Sequence, residues 1–344
     1  MSQLLAKFSL AYTASATLRR LSLALGNAGS LALLIFSLSW SVHAGGLTVS
    51  VATTPLSTPF YVAEQLGYFA QEGLNITMKE CVSGKLCLTQ MLAGQSNFAT
   101  ASELPIMLNS FARKDFAILA TFSTTNRDVK MIARKSAGMK TPKDFAGKKI
   151  ALMRGTSGEY FTDLTLLTYG VDPRSVTIVD MNMEAVETAI ADRAIDAFAV
   201  FEPTAFRIMK ALKNDGYVIA TPPIYTLSFN LVGMKSSMGE NSVEVAKLLR
   251  ALDRAILYIR NNPDKAQAIL LERLKLDSSF VDWTWAEYRF DLALNQSLLT
   301  TLESEARWAM RENFVNDKTL PNYLNLIDTS YLLKIKPASV TLVK

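Results

Sequence analysis

Short β-type runs alternate with helix-period runs along most of the chain, and this alternation limits the fold more than any other feature. Leu47-Thr-Val-Ser-Val-Ala52 reads as a strand, and Pro59 to Phe69 reads as a helix with Val62, Leu66 and Phe69 on one face. Ile76 to Glu80, Phe98 to Ala101, Ile118 to Phe122 and Lys130 to Arg134 continue the strands, with a helix over Lys85 to Leu92 capped by Gly94. A second unit repeats the pattern. Strands are expected at Lys149 to Met153, Val176 to Val179, Ala197 to Val200 and Val218 to Ala220, with helices between them. Asn230 to Met234 is a further strand, and the remainder reads as mostly helical, led by the stripe Val245, Leu248, Leu249, Leu252 and Ile256. Strands alternating with helices predict an α/β fold of mostly parallel sheets flanked by helices. Two such units predict two lobes joined by two crossings, one near Arg134 and one at Pro222 to Tyr225. The expected division is 45–134 for lobe one, 135–222 for lobe two, and 223–344 returning to lobe one as a helical C-terminal extension.

The N-terminus sets the compartment. Residues 1–44 carry Lys7, Arg19 and Arg20 and no acidic residue, then the short apolar run Leu31 to Trp40, then Val42-His43-Ala44. That layout predicts a secretory signal peptide cleaved after Ala44. The competing reading, an uncleaved anchor over Leu21 to Trp40, is interrupted by Gly26, Asn27, Gly29 and Ser30. Arg19-Arg20 leaves general secretion and twin-arginine export both open. Removing the leader lowers Lys plus Arg from 36 to 33 against 31 acidic residues, so the basic precursor gives no argument for nucleic acid. The single histidine, His43, is lost with the leader. The remaining chain lacks the usual general base of neutral-pH catalysis and the commonest zinc ligand. Cys81 and Cys87 are the only cysteines. They are a candidate disulfide in an oxidising compartment, or two buried thiols. No cysteine follows the apolar run, so no lipid attachment is expected, and the periplasm of a bacterium with two membranes is the expected location.

In open α/β sheets a ligand sits beyond the carboxyl ends of strands, where helix N-termini present free N–H groups and partial positive charge. The candidate loops are therefore Thr53 to Phe60, Ser83 to Lys85, Ala101 to Glu103, Arg154 to Glu159 and Phe201 to Pro203.

At these loops the chain resembles the nitrate/sulfonate/taurine-type solute-binding proteins of ATP-binding-cassette importers. The matching stretches are Pro59 to Gly73, Ser83-Gly-Lys85 with Met91 to Gly94, Phe98 to Pro105, Asp144 to Ile150, Arg154 to Phe161, Ala194 to Pro203, and Phe290-Asp-Leu with Leu298 to Trp308. Their order and spacing span most of the mature chain. The resemblance implies a type II periplasmic-binding fold that hinges shut on a small molecule, with an inner-membrane permease as partner. The pocket residues it implies are Pro59, Phe60, Ser83, Gly84, Ser102, Glu103, Gly155, Thr156, Ser157, Phe201 and Glu202. Members of the family commonly carry tryptophan where Phe201 stands, which weakens inference of the ligand. A pyrimidine-precursor synthase of the same fold consumes a histidine and needs a cysteine-rich iron site, and the chain without its expected leader has no histidine and only two cysteines.

Several of these residues have two readings. Thr156 and Ser157 can hold an anionic or carbonyl oxygen or simply cap a helix. Arg154 can clamp a sulfonate or carboxylate through its planar fork, or stand in solvent. Lys85 reads as a surface charge at a helix start. Glu103 and Glu202 favour a cationic or hydrogen-bond-donating ligand if they face the pocket, and otherwise tie down a lobe edge. Trp283, Trp285 and Trp308 read as packing. The function expected is capture of a small organic anion, a sulfonate or carboxylate before nitrate, by a monomer without cofactor, metal or enzymatic activity. The alternatives are a binder of an amine or pyrimidine-like nutrient, and a sensor reporting ligand to a membrane partner.

Overall fold

Apolar runs become strands, and the computed structural model describes residues 46–343. The expected leader, its cleavage point and His43 lie outside the described residues. The first segment runs β1 (Leu47–Ala52), α1 (Thr58–Gln65), α2 (Tyr68–Gln71), β2 (Ile76–Cys81), α3 (Gly84–Leu92), β3 (Phe98–Ser102), α4 (Glu103–Ala112) and β4 (Phe116–Thr125). The second holds β5 (Lys130–Arg134), β6 (Lys149–Leu152), α5 (Ser157–Thr168), β7 (Thr177–Asp180), α6 (Met183–Ala191), β8 (Ala197–Val200), α7 (Thr204–Leu212) and β9 (Gly216–Ile219). The chain returns through β10 (Leu227–Met234), α8 (Lys235–Glu240), α9 (Ser242–Asn261), α10 (Pro263–Leu274), α11 (Ser279–Thr284), β11 (Tyr288–Ala293), α12 (Gln296–Arg311) and α13 (Ser330–Ile335). Gly67, at φ 67°, divides the helix expected over Pro59 to Phe69 into α1 and α2.

Two sheets result, ordered β11-β4-β10-β3-β1-β2 and β7-β6-β8-β5-β9. They are mixed, which corrects the expectation of mostly parallel sheets. β1 pairs in parallel with β2 and β3, and β6 with β7 and β8. Both strands that follow a crossing pair antiparallel, β5 with β8 and β9 and β10 with β3 and β4, and β11, later in the returning segment, pairs antiparallel with β4. A chain entering a sheet from the other lobe arrives at the opposite end from strands fed by local helices, so its direction reverses. The same pairing moves the first crossing. The expected division ends the first lobe with β5, but β5 is hydrogen-bonded within the second sheet, so the chain changes sheets at residues 126–129, ahead of Arg134. β11 lies in the returning stretch expected to be mostly helical. Its sequence, Tyr288-Arg-Phe-Asp-Leu-Ala293, alternates apolar and charged residues, and only the strand period of two sets Phe290 on the same face as the buried Tyr288 and Leu292.

The larger core lies under the first sheet. Val245, Leu248, Leu249, Leu252 and Ile256 of α9 are fully buried there, each worth about 1.5–3 kcal/mol relative to exposure. β10 can lie next to β3 because Gly233 carries no side chain: a Cβ there would stand 2.7 Å from Cδ1 of the buried Phe98. Gly233→Ala is expected to cost about 1–3 kcal/mol through overpacking, read as a lower urea midpoint at unchanged slope; an unchanged midpoint would show that Phe98 yields freely.

Candidate ligand-binding cleft

Each parallel strand delivers the chain to the next helix at its carboxyl end, so helix N-termini gather at one edge of each sheet. A cavity of about 550 Å³ opens between these edges. Ser83, Gly84 and Lys85 of α3 and Ser102 before α4 line it from one lobe, and Thr156 before α5 with Phe201, Glu202 and Thr204 at the start of α7 line it from the other. Asp128, from the first crossing, completes the wall.

These helix ends are not electrically alike. Glu103 occupies the first turn of α4, and Glu159 that of α5, where its carboxylate accepts from the Gly155 amide at 2.7 Å. Glu202 accepts the Phe206 amide of α7 at 3.1 Å. Each carboxyl group stands at its helix's positive end and offsets it to the extent that it is ionised. α3 has no acid in its first turn: Ser83 caps it, accepting from the Leu86 amide, and Lys85 adds a cation. Gly84 is required there, because a Cβ would lie 3.0 Å from both Ala101 Cα and Phe229 Cε2. The α3 terminus thus joins a free helix end to a lysine, with no acid in its own first turn.

The structure gathers Ser83, Gly84, Ser102, Thr156, Phe201 and Glu202 around the cavity. The other expected residues lie off its lining. Pro59 and Phe60 are buried, with Phe60 packed edge-on against Phe122, because α1 turns its apolar face to the core. Ser157 is fully buried and its Oγ has no partner among the described residues. Gly155 turns the chain at φ 67°, and Arg154 spends its guanidinium on Glu159, with Nη1 2.7 Å from Oε1. Cys81 and Cys87 are joined as a disulfide at the junction of β2 and α3.

Glu103 also lies outside the cavity lining. It is fully buried, accepting from Ser228 N and Oγ at 2.9 and 3.0 Å and from the Tyr225 hydroxyl, which also lies 3.2 Å from Glu305 Oε1. Tyr225 is on the second crossing, and its ring meets Tyr160 of α5 edge-on at 5.4 Å. Burial pushes the Glu103 carboxyl up to about 8, and burial together with the Glu103 charge raises Glu305 well above the carboxylate range. Between the ordinary carboxylate value near 4.5 and about 8, the folded chain therefore holds protons that the unfolded chain has released. Stability is expected to fall as pH rises from 5 to 8, and Glu103→Gln should flatten that fall; urea titrations across the range read both, and an unchanged slope in the variant would show that Glu103 does not carry it.

Three functional features escaped sequence reasoning. Lys85, read as a surface charge, donates from Nζ to the Arg154 carbonyl of the other lobe at 2.5 Å and lines the cavity. Arg207 and Arg273 also line it, and Arg207 Nη2 donates to Leu274 O across the lobes at 3.1 Å. Trp283 donates from Nε1 to Glu202 at 2.5 Å and Trp308 to Asp163 of α5 at 2.8 Å, so two tryptophans of the returning segment hold the second lobe. These partners come from distant parts of the chain, and no local motif announces them.

The NMT1/THI5-like family model matches residues 54–266. The chain belongs to that family. Among curated relatives of this family member is the "Putative aliphatic sulfonates-binding protein" of Bacillus subtilis, 23% identical over 232 residues, covering 65% of this chain and 69% of the relative. The taurine-binding periplasmic protein of Escherichia coli is 23% identical over 178 residues, 52% of this chain and 54% of that one. Among solved structures, the alkanesulfonate-binding protein SsuA of Xanthomonas axonopodis pv. citri, bound to MOPS, superposes with a TM-score of 0.72 at 15% identity, covering 83% of this chain and 98% of that one. The desulfurization enzyme DSZB shares the fold as well, with a TM-score of 0.64 at 14% identity and coverage of 83% and 98%. The two-lobed α/β fold of periplasmic binding proteins is thus the fold of this chain.

Proposed function

We propose that this protein captures a small organic anion, a sulfonate or carboxylate, between its two lobes in the periplasm and delivers it to an ATP-binding-cassette permease without altering it. The observation that carries the reading is the α3 terminus: free N–H groups, the Ser83 hydroxyl and Lys85 meet there with no carboxylate in the first turn. An anion held there gains charge-assisted hydrogen bonds of the stronger class. Lys85 also touches the opposite lobe, so anion binding and lobe contact share one side chain. Relatives named as binders of sulfonates and taurine support this ligand class, and the absence of histidine from residues 45–344 supports capture without chemistry.

A thermal-shift series with ethanesulfonate, short carboxylates and nitrate tests the reading. A ligand that binds only the folded state adds about 2.7 kcal/mol at a hundred times its dissociation constant, so a sulfonate or carboxylate is expected to raise the melting temperature. Lys85→Met should cost about 1.5–3 kcal/mol of binding, roughly ten- to hundredfold in affinity. No shift with any anion, or equal affinity in the variant, would overturn the assignment.

A further inference from the structure

The second lobe carries a charge imbalance at its far end, away from the cleft. Ala133 of β5 and Ile150 of β6 both sit against Ala197 of β8, so residues 134–149 leave and rejoin the sheet at one edge, opposite the edge that bears α5 and α7. Met139, Pro142 and Phe145 turn inward and pin this segment to the lobe, and Thr141 with Asp144 closes a capping box that fixes its turn. The cations are left outside. Lys135, Lys140, Lys143 and Lys149 are exposed and Lys148 is half-buried, and none of the five ammonium groups has a carboxylate or hydrogen-bond partner among the described residues. The acids nearby are turned onto the backbone: Asp144 Oδ2 accepts the Lys140 and Thr141 amides at 2.8 Å, and Asp196 accepts the Lys149 amide at 2.8 Å. On α9 and α10 of the first lobe, by contrast, Arg250, Arg260 and Arg273 each hold a carboxylate, at 2.8, 3.0 and 2.8 Å. Residues 134–149 contain six cations and one acid, out of 33 and 31 in residues 45–344, which leaves 27 against 30 for everything else. The adjoining loops 169–176, 192–196 and 212–216 add three cations and four acids, so this end keeps a surplus of four. The chain without its expected leader is thus a slightly acidic body with one basic end.

We propose that this end docks the protein on a membrane surface bearing anionic phosphate headgroups, and so holds it beside the bilayer with its cleft free. Separate ammonium groups on a fixed segment fit a plane of many phosphates, whereas one small anion needs donors that converge on it. The acidic remainder is repelled by the same surface, so attachment is end-on. Single-stranded nucleic acid is the poorer fit: Phe145 is buried and Tyr169 and Tyr217 are half-buried, so no ring is presented for base stacking. The inference is independent of what the cleft binds.

Cosedimentation of the exported protein with vesicles tests this, using equal parts of phosphatidylglycerol and phosphatidylcholine against phosphatidylcholine alone. Binding is expected only to the anionic vesicles, at about 0.01 M salt, where charge reaches about 30 Å, and not at about 1 M, where it reaches about 3 Å. Each lysine near such a surface is worth roughly fivefold in partitioning, so Lys140→Gln, Lys143→Gln and Lys149→Gln together should weaken binding about a hundredfold. Lys235→Gln, Lys265→Gln and Lys318→Gln remove the same charge from exposed positions of the first lobe and should leave binding nearly unchanged. An unaltered urea midpoint shows that each triple variant folds. No binding to the anionic vesicles, or equal weakening in both triple variants, overturns the proposal. Displacement from the vesicles by DNA at equal phosphate concentration would assign the basic end to another polyanion and overturn it as well.

Discussion

β10 decides the architecture. It leaves the second lobe and inserts between β3 and β4, pairing antiparallel with both. A strand locked into the middle of one sheet while its preceding segment belongs to the other ties the lobes at a fixed spacing. Both sheets then turn their helix-bearing edges to one cleft. Gly233 is the local condition for that insertion, because the neighbouring strand presents a phenylalanine ring where any side chain would stand. The first sheet is mixed by this insertion and the second by β5 at the earlier crossing, since a strand arriving from the other lobe must run backwards.

The cleft is built from helix ends whose charge has been edited one at a time. Carboxylates subdue α4, α5 and α7, and α3 is left bare with a lysine. Three of the acids do structural work: Glu159 closes the Gly155 turn, Glu202 anchors α7 to Trp283, and Glu103 holds Tyr225 on the crossing. An electrostatic reading of the site therefore cannot count charges along the lining. It has to ask which of them already has a partner inside the protein.

The sequence makes the lobes legible because periodicity is a local property. Strand runs such as Leu47 to Ala52 and the α9 stripe show themselves within a few residues. Half of the expected site residues line the cleft for the same reason, since Ser83, Ser102 and Thr156 sit at strand-to-helix turns that can be located without a structure. What escaped depends on pairing at long range. Strand direction, the place of β5, and the contacts of Lys85 and Arg207 are set by partners 67 or more residues away. Phe60 and Ser157 failed in the opposite way. Each lies beside a loop of the right kind, but the helix turns that side chain into the core.

The tryptophans give the molecule a built-in optical gauge. Trp40 falls in the expected leader, and Trp283, Trp285 and Trp308 all belong to the returning segment. Trp283 and Trp308 bond across to the second lobe through their indole N–H groups, one to Glu202 and one to Asp163. Any movement of one lobe against the other changes the polarity around both indoles. The emission of the unlabelled protein thus registers the angle between its halves, most directly through Trp308, whose partner Asp163 lies off the cleft lining.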